Sequence, residues 1–192
     1  MSLRIIAGQF GGRTIVTSDS YKTHPMGDRI RSSLFNILGD MSGLTVLDAF
    51  AGSGSLGFEA LSRGAAHVTF IERDRAAQRV IAKNIETLGV ATQAKLIRGS
   101  VAAWDETAGV DSSDKANYDT PQFDLIFADP PYNDLQLSTV FRLKNHLQPK
   151  GLMILSYPGR ESVPTVNGVV VVDNRSYGDA ALAFYHLDKM DA

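Results

Sequence analysis

Four residues, Asp129-Pro130-Pro131-Tyr132, close an apolar run, Phe123-Asp124-Leu125-Ile126-Phe127-Ala128, that has the bounded look of a buried strand. Consecutive prolines fix φ and carry no N–H, so the chain there offers carbonyl acceptors in a rigid extended shape without competing donors. Asp129 adds a second acceptor, and Tyr132 adds a flat face on which a heterocycle can stack, which is how unpaired bases are gripped. Together they suit an exocyclic amino group, of a base or of an amide, whose hydrogens are held while its lone pair attacks. A tight loop after a strand would use the same tetrapeptide without any chemistry. The partner that the amine attacks must therefore be found elsewhere in the chain.

A second motif supplies it. Thr45-Val46-Leu47-Asp48-Ala49-Phe50 reads as another buried strand, and Ala51-Gly52-Ser53-Gly54-Ser55-Leu56-Gly57 leads from it into a helix. Gly52, Gly54 and Gly57 satisfy G-x-G-x-x-G, and Glu72 follows at close to the distance of the ribose-binding acid of a dinucleotide site. A dinucleotide is thus a serious candidate ligand. Asp48 opposes it, because a carboxylate at the mouth of the loop repels a pyrophosphate seated on the helix N-terminus. S-adenosylmethionine carries a sulfonium and an ammonium and no phosphate, so the same acid attracts it. Its carboxylate can still be received by the N–H groups that open the helix. Glu72, at the end of the strand His67–Glu72, can accept from both ribose hydroxyls. Phe50 and Ser53 complete the turn.

The chain resembles the class I S-adenosylmethionine-dependent methyltransferases, and more narrowly the 16S ribosomal RNA guanine-N2 methyltransferases of the RsmD type. The resemblance runs from Arg4-Ile5-Ile6-Ala7-Gly8 and Gly12-Arg13 through Asp28-Arg29-Ile30-Arg31 and Leu34-Phe35-Asn36-Ile37-Leu38. It continues through Leu47-Asp48 to Gly57 and Glu59-Ala60-Leu61-Ser62-Arg63-Gly64-Ala65, and reaches Asp129-Pro130-Pro131-Tyr132. The glycine loop and the Asp-Pro-Pro-Tyr carry the superfamily; the N-terminal segments carry the family. His24-Pro25-Met26 and Ser32 depart from the family's usual residues. The resemblance implies a Rossmann-like α/β fold with a mostly parallel seven-stranded sheet, helices on both faces, and an N-terminal β-hairpin and helix. It implies S-adenosyl-L-methionine as cofactor, with Asp48, Phe50, Gly52, Ser53, Gly54, Glu72, Ser100 and Asp129 around it. Ser100 stands where many methyltransferases place an acid that accepts from the adenine amino group. The implied substrate is 16S ribosomal RNA in the small subunit or an assembly intermediate, and the implied protein a cytoplasmic monomer.

The implied reaction is direct displacement at the sulfonium methyl by the exocyclic amine. Asp129 and the Pro130 carbonyl accept the amine's hydrogens, Pro131 stiffens the turn, and Tyr132 stacks on a flipped or unpaired base. Other readings share the motifs. A DNA or RNA methyltransferase acting on adenine N6 or cytosine N4 would use both, although 192 residues leave no room for an inserted target-recognition region. A protein-glutamine methyltransferase also presents an amide nitrogen, and an RNA-binding assembly factor could hold the cofactor without chemistry.

Composition sets the bounds. A chain of 192 residues, 44% hydrophobic, buries one sizeable core. No apolar run is long enough to span a membrane, and the N-terminus is unlike a signal peptide. The absence of cysteine removes disulfides, thiolate zinc sites and the nucleophile used in carbon-5 pyrimidine methylation. His24, His67, His146 and His186 show no metal-ligand spacing, so no metal is expected. The net charge is −2, yet residues 1–33 hold five Lys/Arg (Arg4, Arg13, Lys22, Arg29, Arg31) against two acids. Arg4, Arg13, Arg29 and Arg31 are accordingly expected to meet RNA phosphates, from an extension over 1–40 set before a methyltransferase domain over 41–192.

The elements that must position these residues alternate strand and helix, the pattern of a parallel sheet covered on both faces. Gly11-Gly12 between short apolar runs predicts a hairpin over Arg4–Thr17. Apolar spacing predicts a helix over Asp28–Leu38 with Ile30, Leu34, Ile37 and Leu38 inward, and another over Arg75–Leu88 burying Ala77, Val80, Ile81, Ile85 and Leu88. Trp104 reads as a core anchor, Asp105–Gln122 as a surface loop, and Leu135–Leu147 as a helix. Strands are predicted at Leu152–Tyr157, Val169–Val172 and Ala181–Leu187.

Overall fold

Apolar residues on both phases of the central strands require a sheet buried on both faces, and the computed structural model, which describes residues 2–17, 26–108 and 120–188, has one. In chain order come β1 (Ser2–Arg4), β2 (Thr14–Val16), α1 (Asp28–Leu38), β3 (Thr45–Asp48), α2 (Ser55–Ser62), β4 (His67–Glu72) and α3 (Arg75–Leu88). Then follow β5 (Ala94–Arg98), α4 (Val101–Thr107), β6 (Phe123–Ala128), α5 (Leu137–Arg142), a 3-10 turn over Leu143–His146, β7 (Leu147–Pro158), β8 (Val169–Ser176) and β9 (Ala180–Leu187). β1 and β2 form an antiparallel hairpin; the main sheet has seven strands in the order β5-β4-β3-β6-β7-β9-β8. β5 to β7 run parallel across the sheet, while β9 enters antiparallel to β7 and β8 antiparallel to β9. Strand order reverses between β3 and β6, and the crevice at such a point is where open α/β sheets take their ligands.

Alternation along the strands assigns the two cores. Val46, Leu125, Phe127, Ile154, Leu182 and Phe184 pack with α1, α2 and α3 on one face. Leu47, Ile126, Ala128, Met153, Leu155 and Ala183 pack with α4 and α5 on the other. Period 2 therefore sends the next polar residues at the strand ends, Asp48, Glu72, Asp129 and Ser156, to the α1–α3 side.

The hairpin is built into the main unit by buried polar groups. On α2, Glu59 is fully buried and accepts the N–H groups of Ile6 (2.8 Å) and Ala7 (3.2 Å), with Arg63 Nε at 2.8 Å holding its charge. Ser62 Oγ accepts from Phe10 N–H at 2.9 Å and donates to the Ala7 carbonyl. On α3, Asn84 accepts from Val16 N–H and donates to the Val16 carbonyl, both at 2.9 Å, as a neighbouring strand would. These three side chains give the hairpin's backbone the partners a sheet edge lacks.

Four sequence expectations are corrected. Arg31 does not face solvent: it is fully buried, donates through Nη2 to the Arg4 carbonyl (2.7 Å) and Asp28 (2.9 Å), and ties α1 to the hairpin. A guanidinium enclosed this way cannot meet a phosphate. On α1, Phe35 is buried against Phe127 and under Arg63 while Ile37 is 41% exposed, so the helix is turned by about one residue from the apolar spacing. The expected 105–122 loop begins later, because α4 continues through Thr107. There Asp105 bonds Arg142 (2.8 Å) and His146 (3.0 Å), and Trp104 lies with its ring centroid 4.4 Å from that of His146; residues 109–119 lie outside the described residues. The helix expected over 135–147 is shorter, and β7 starts at Leu147 with a bulge opposite Phe123/Leu125. Among the described residues no helix is long and apolar enough to cross a membrane.

Candidate functional site

The β3–α2 turn shows why its three glycines are needed. Gly52 has φ +55°, and its N–H donates to Glu72 Oε2 at 2.7 Å. Gly54 caps α2 at φ +79°, where a Cβ would stand 2.6 Å from the Phe58 ring. Gly57 lets α2 lie on β4, since a Cβ there would meet the Phe70 ring at 2.2 Å and Val68 at 2.8 Å. The first glycine frees the turn and the other two allow close packing.

One cavity of about 1010 Å³ opens at the carboxyl ends of the strands and collects nearly all the residues expected to do chemistry. Asp48, Phe50, Gly52, Ser53, Glu72, Ser100, Asp129, Pro130, Pro131 and Tyr132 all line it, with Asp48 and Asp129 at the ends of the neighbouring strands β3 and β6. Gly54 stands behind the wall as the helix cap. Met26 and Gly27, just before α1, and Ile30 within it line the cavity as well. His24 and Pro25 lie outside the described residues.

Carboxylates dominate the electrostatics of the site: Asp48, Glu72, Asp74 and Asp129 line it beside a single cation, Arg73. Burial pushes Asp48 up to about 7, opposed by its bond from Gly57 N–H (3.0 Å) and reinforced by Asp129 and Glu72. Burial likewise lifts Asp129 to about 6, with Ser156 pulling it back. Glu72 is raised, again by burial first, against the bonds it accepts from Asp74 N–H (2.6 Å) and Gly52 N–H. Among the described residues none of the three makes an ion pair. A bound cation would relieve all of them, whereas a pyrophosphate would add to the repulsion. Ser53 Oγ, buried in the same wall, has no hydrogen-bond partner, a polar atom left for a ligand to satisfy. The residues present fit S-adenosylmethionine.

Some roles shift once the geometry is seen. Both Glu72 oxygens hold backbone N–H groups, so Glu72 shapes the loop and meets a ribose only through its remaining lone pairs. Ser100 Oγ caps α4 by accepting Ala103 N–H at 3.2 Å, which leaves its hydroxyl as a donor toward the cavity. Arg4, Arg13 and Arg29 are exposed, and Arg13 is steadied by the Thr87 carbonyl (2.7 Å) and the Phe10 ring (5.5 Å). Two site residues escaped the sequence reading. Ser156, which interrupts the apolar run of β7, lines the cavity with Oγ 2.8 Å from the Tyr132 hydroxyl. Gln136, at φ +48°, is the one non-glycine in the left-handed region among the described residues and also lines the cavity. The polar break in an apolar strand was a usable signal for Ser156; nothing in the sequence marked Gln136.

Comparison with known proteins supports this picture. The family described as "Conserved hypothetical protein 95" matches residues 3–186. Ribosomal RNA small subunit methyltransferase D of Haemophilus influenzae is 34% identical over 188 residues, covering 95% of this chain and 93% of that protein. The enzyme of the same name from Escherichia coli K12 is 36% identical over 168 residues, 85% of this chain and 79% of that one. The solved structure of the Escherichia coli yhhF protein superposes with a TM-score of 0.84 at 31% identity, covering 98% of this chain and 99% of that chain. With the sheet order, the glycine loop and the carboxylate-lined cavity on the same chain, these likenesses place it in the RsmD family of S-adenosylmethionine-dependent methyltransferases.

Proposed function

We propose that the protein methylates the exocyclic N2 amine of a guanine in 16S ribosomal RNA, on the small subunit or an assembly intermediate of it. The observation that carries this reading is the shared cavity: Asp48 and Glu72, suited to a cationic cofactor, and Asp129 to Tyr132, suited to an amine, line the same walls. S-adenosylmethionine supplies a methyl group on an electrophilic sulfonium. The chain's own residues do the rest. Asp129 and the Pro130 carbonyl accept the amine's two N–H bonds and turn its lone pair toward the methyl, stabilising the positive charge that grows on nitrogen. Tyr132, which lines the cavity and is 40% exposed, offers its ring to an unstacked base. The exposed Arg4, Arg13 and Arg29 of the 1–40 extension, which also contributes Met26, Gly27 and Ile30 to the cavity lining, hold the RNA backbone. The names of the Haemophilus influenzae and Escherichia coli relatives, small subunit methyltransferases, support ribosomal RNA as the substrate.

Two measurements test the proposal. Calorimetry should find S-adenosylmethionine or S-adenosylhomocysteine binding and no NADH binding. Mass-spectrometric mapping of ribosomal RNA from cells with and without the protein should show one N2-methylguanosine in 16S RNA that depends on it. A dependent methyl on adenine N6 or cytosine N4 would reassign the acceptor, and no dependent methyl at all would leave an RNA-binding factor.

A further inference from the structure

The ends of β6 and β7 hold a hydroxyl that the reaction as described does not use. Their parallel register pairs Ala128 with Leu155, so the next residue of each, Asp129 and Ser156, stand side by side as the strands end. Alternation turns both side chains to the same face, into the cavity. Ser156 is 2% exposed, and its Oγ lies 2.8 Å from the Tyr132 hydroxyl. It also draws the Asp129 carboxyl back toward its ionised form, without closing a bond of standard length and angle. Catalytic hydrogen bonds are often this loose until substrate arrives.

The donors and acceptors fix a direction. An ionised carboxylate only accepts, so in a bond between these neighbours Ser156 O–H is the donor and Asp129 the acceptor; the serine oxygen is then free to accept, and the Tyr132 O–H is the donor in reach. The order is Tyr132 to Ser156 to Asp129. We infer that Ser156 is a positioning residue which, backed by the Tyr132 hydroxyl, aims the Asp129 carboxylate and keeps it an acceptor for the substrate's N–H groups. The inference rests on the amine-holding reading of Asp129 given above. It divides Tyr132 in two: the ring meets the base, and the hydroxyl serves the acid. A protonated Asp129 would donate into the chain rather than receive from it, and so lose its aim.

The test is single-turnover methylation of small-subunit particles across pH 5–8 by Ser156→Ala, Tyr132→Phe and the double variant, with S-adenosylhomocysteine affinity measured by calorimetry on each. Ser156→Ala should lower the rate at pH 7 by about tenfold, the worth of a hydrogen bond to a charged group. It should also move the acid limb of the rate profile to higher pH. Tyr132→Phe should move that limb in the same direction by less, and the double variant should be no worse than Ser156→Ala. Ser156→Thr, which keeps a hydroxyl, should restore the limb. Cofactor affinity should hold within about twofold throughout. An acid limb that stays in place in both single variants, or effects that simply multiply in the double variant, would overturn the inference. Tyr132→Phe alters an exposed position, so its result stands even should Ser156→Ala misfold. Full activity in Asp129→Ala is a different failure, since it removes the amine-holding reading itself.

Discussion

In the proposed reaction Asp129 holds the attacking amine, and the effect of removing it should be confined to the rate. Asp129→Ala removes an acceptor needed chiefly as charge builds on nitrogen; by analogy with the loss of an oxyanion-hole donor, turnover should fall on the order of 10²–10³-fold. Calorimetry should find cofactor binding largely retained, because Asp48 and the glycine loop remain. Tyr132→Ala should instead weaken RNA engagement by about 1–3 kcal/mol of stacking, seen as a higher KM for the particle. Asp48 gives a prediction of a different kind. Its folded pKa, about 7, lies above the ordinary 3.8, as does that of Asp129, about 6. Between about pH 4 and 7 the folded state therefore holds more protons than the unfolded state, and these groups cost stability as the pH rises through that window. The thermal midpoint of the protein without cofactor should be higher at pH 5.5 than at 7.5, with each kcal/mol worth about 2–4 °C. Asp48→Asn, whose side-chain oxygen can keep the bond from Gly57, should flatten the difference; an equally steep profile in that variant would place the cause elsewhere.

The elements show where sequence reading succeeds and where it stops. Helix α3 was legible in its bounds, because Asp74 caps it through Ala76 and Ala77 and Gly89 ends it at φ +74°, both local signals, although Val80, expected inward, stays outside the core. Strands β4 and β6 were equally plain, being apolar runs ended by acids, Glu72 and Asp129. Helix α1 had legible ends but not a legible face: burying Arg31 depends on the Arg4 carbonyl, 27 residues away, which no periodicity reports. Glu59 taught the same lesson on α2, where an acid in an apolar helix reads as a misfit until the hairpin's N–H groups are seen to need it. In the site, residue types with a known chemistry at fixed spacing were recognisable. The hydroxyl of Ser156 was not, since its meaning lies in a register between two strands. Gly57 offers the sharpest test at this scale. Gly57→Ala drives a methyl into Phe70 and Val68 and should destabilise the protein by about 1–3 kcal/mol in denaturant unfolding, with cofactor affinity reduced as the loop shifts. Wild-type stability in that variant would mean that α2 is free to lift from β4.

At the scale of the whole molecule, the first 33 residues carry an excess of positive charge and the rest an excess of negative charge, and the proposed function assigns the RNA contact to the former. Neutralising Arg4, Arg13 and Arg29 together should weaken particle binding and flatten the slope of log K against log salt by roughly 0.7–0.9 per lost contact, leaving cofactor affinity unchanged. An unaltered slope would show that these side chains are only solvated. Arg31 does not belong in that set: Arg31→Ala would strip a buried donor from the Arg4 carbonyl and lower stability rather than salt dependence. The anchoring of the hairpin reaches further, into the order in which the chain can fold. Val16 finds its partner 68 residues later, at Asn84, and Ile6 finds its partner 53 residues later, at Glu59. A two-stranded ribbon is barely stable by itself. The hairpin, early in the chain, is thus among the last elements to settle, and it acquires its shape only when the helices that build the cofactor cavity are already there to receive it.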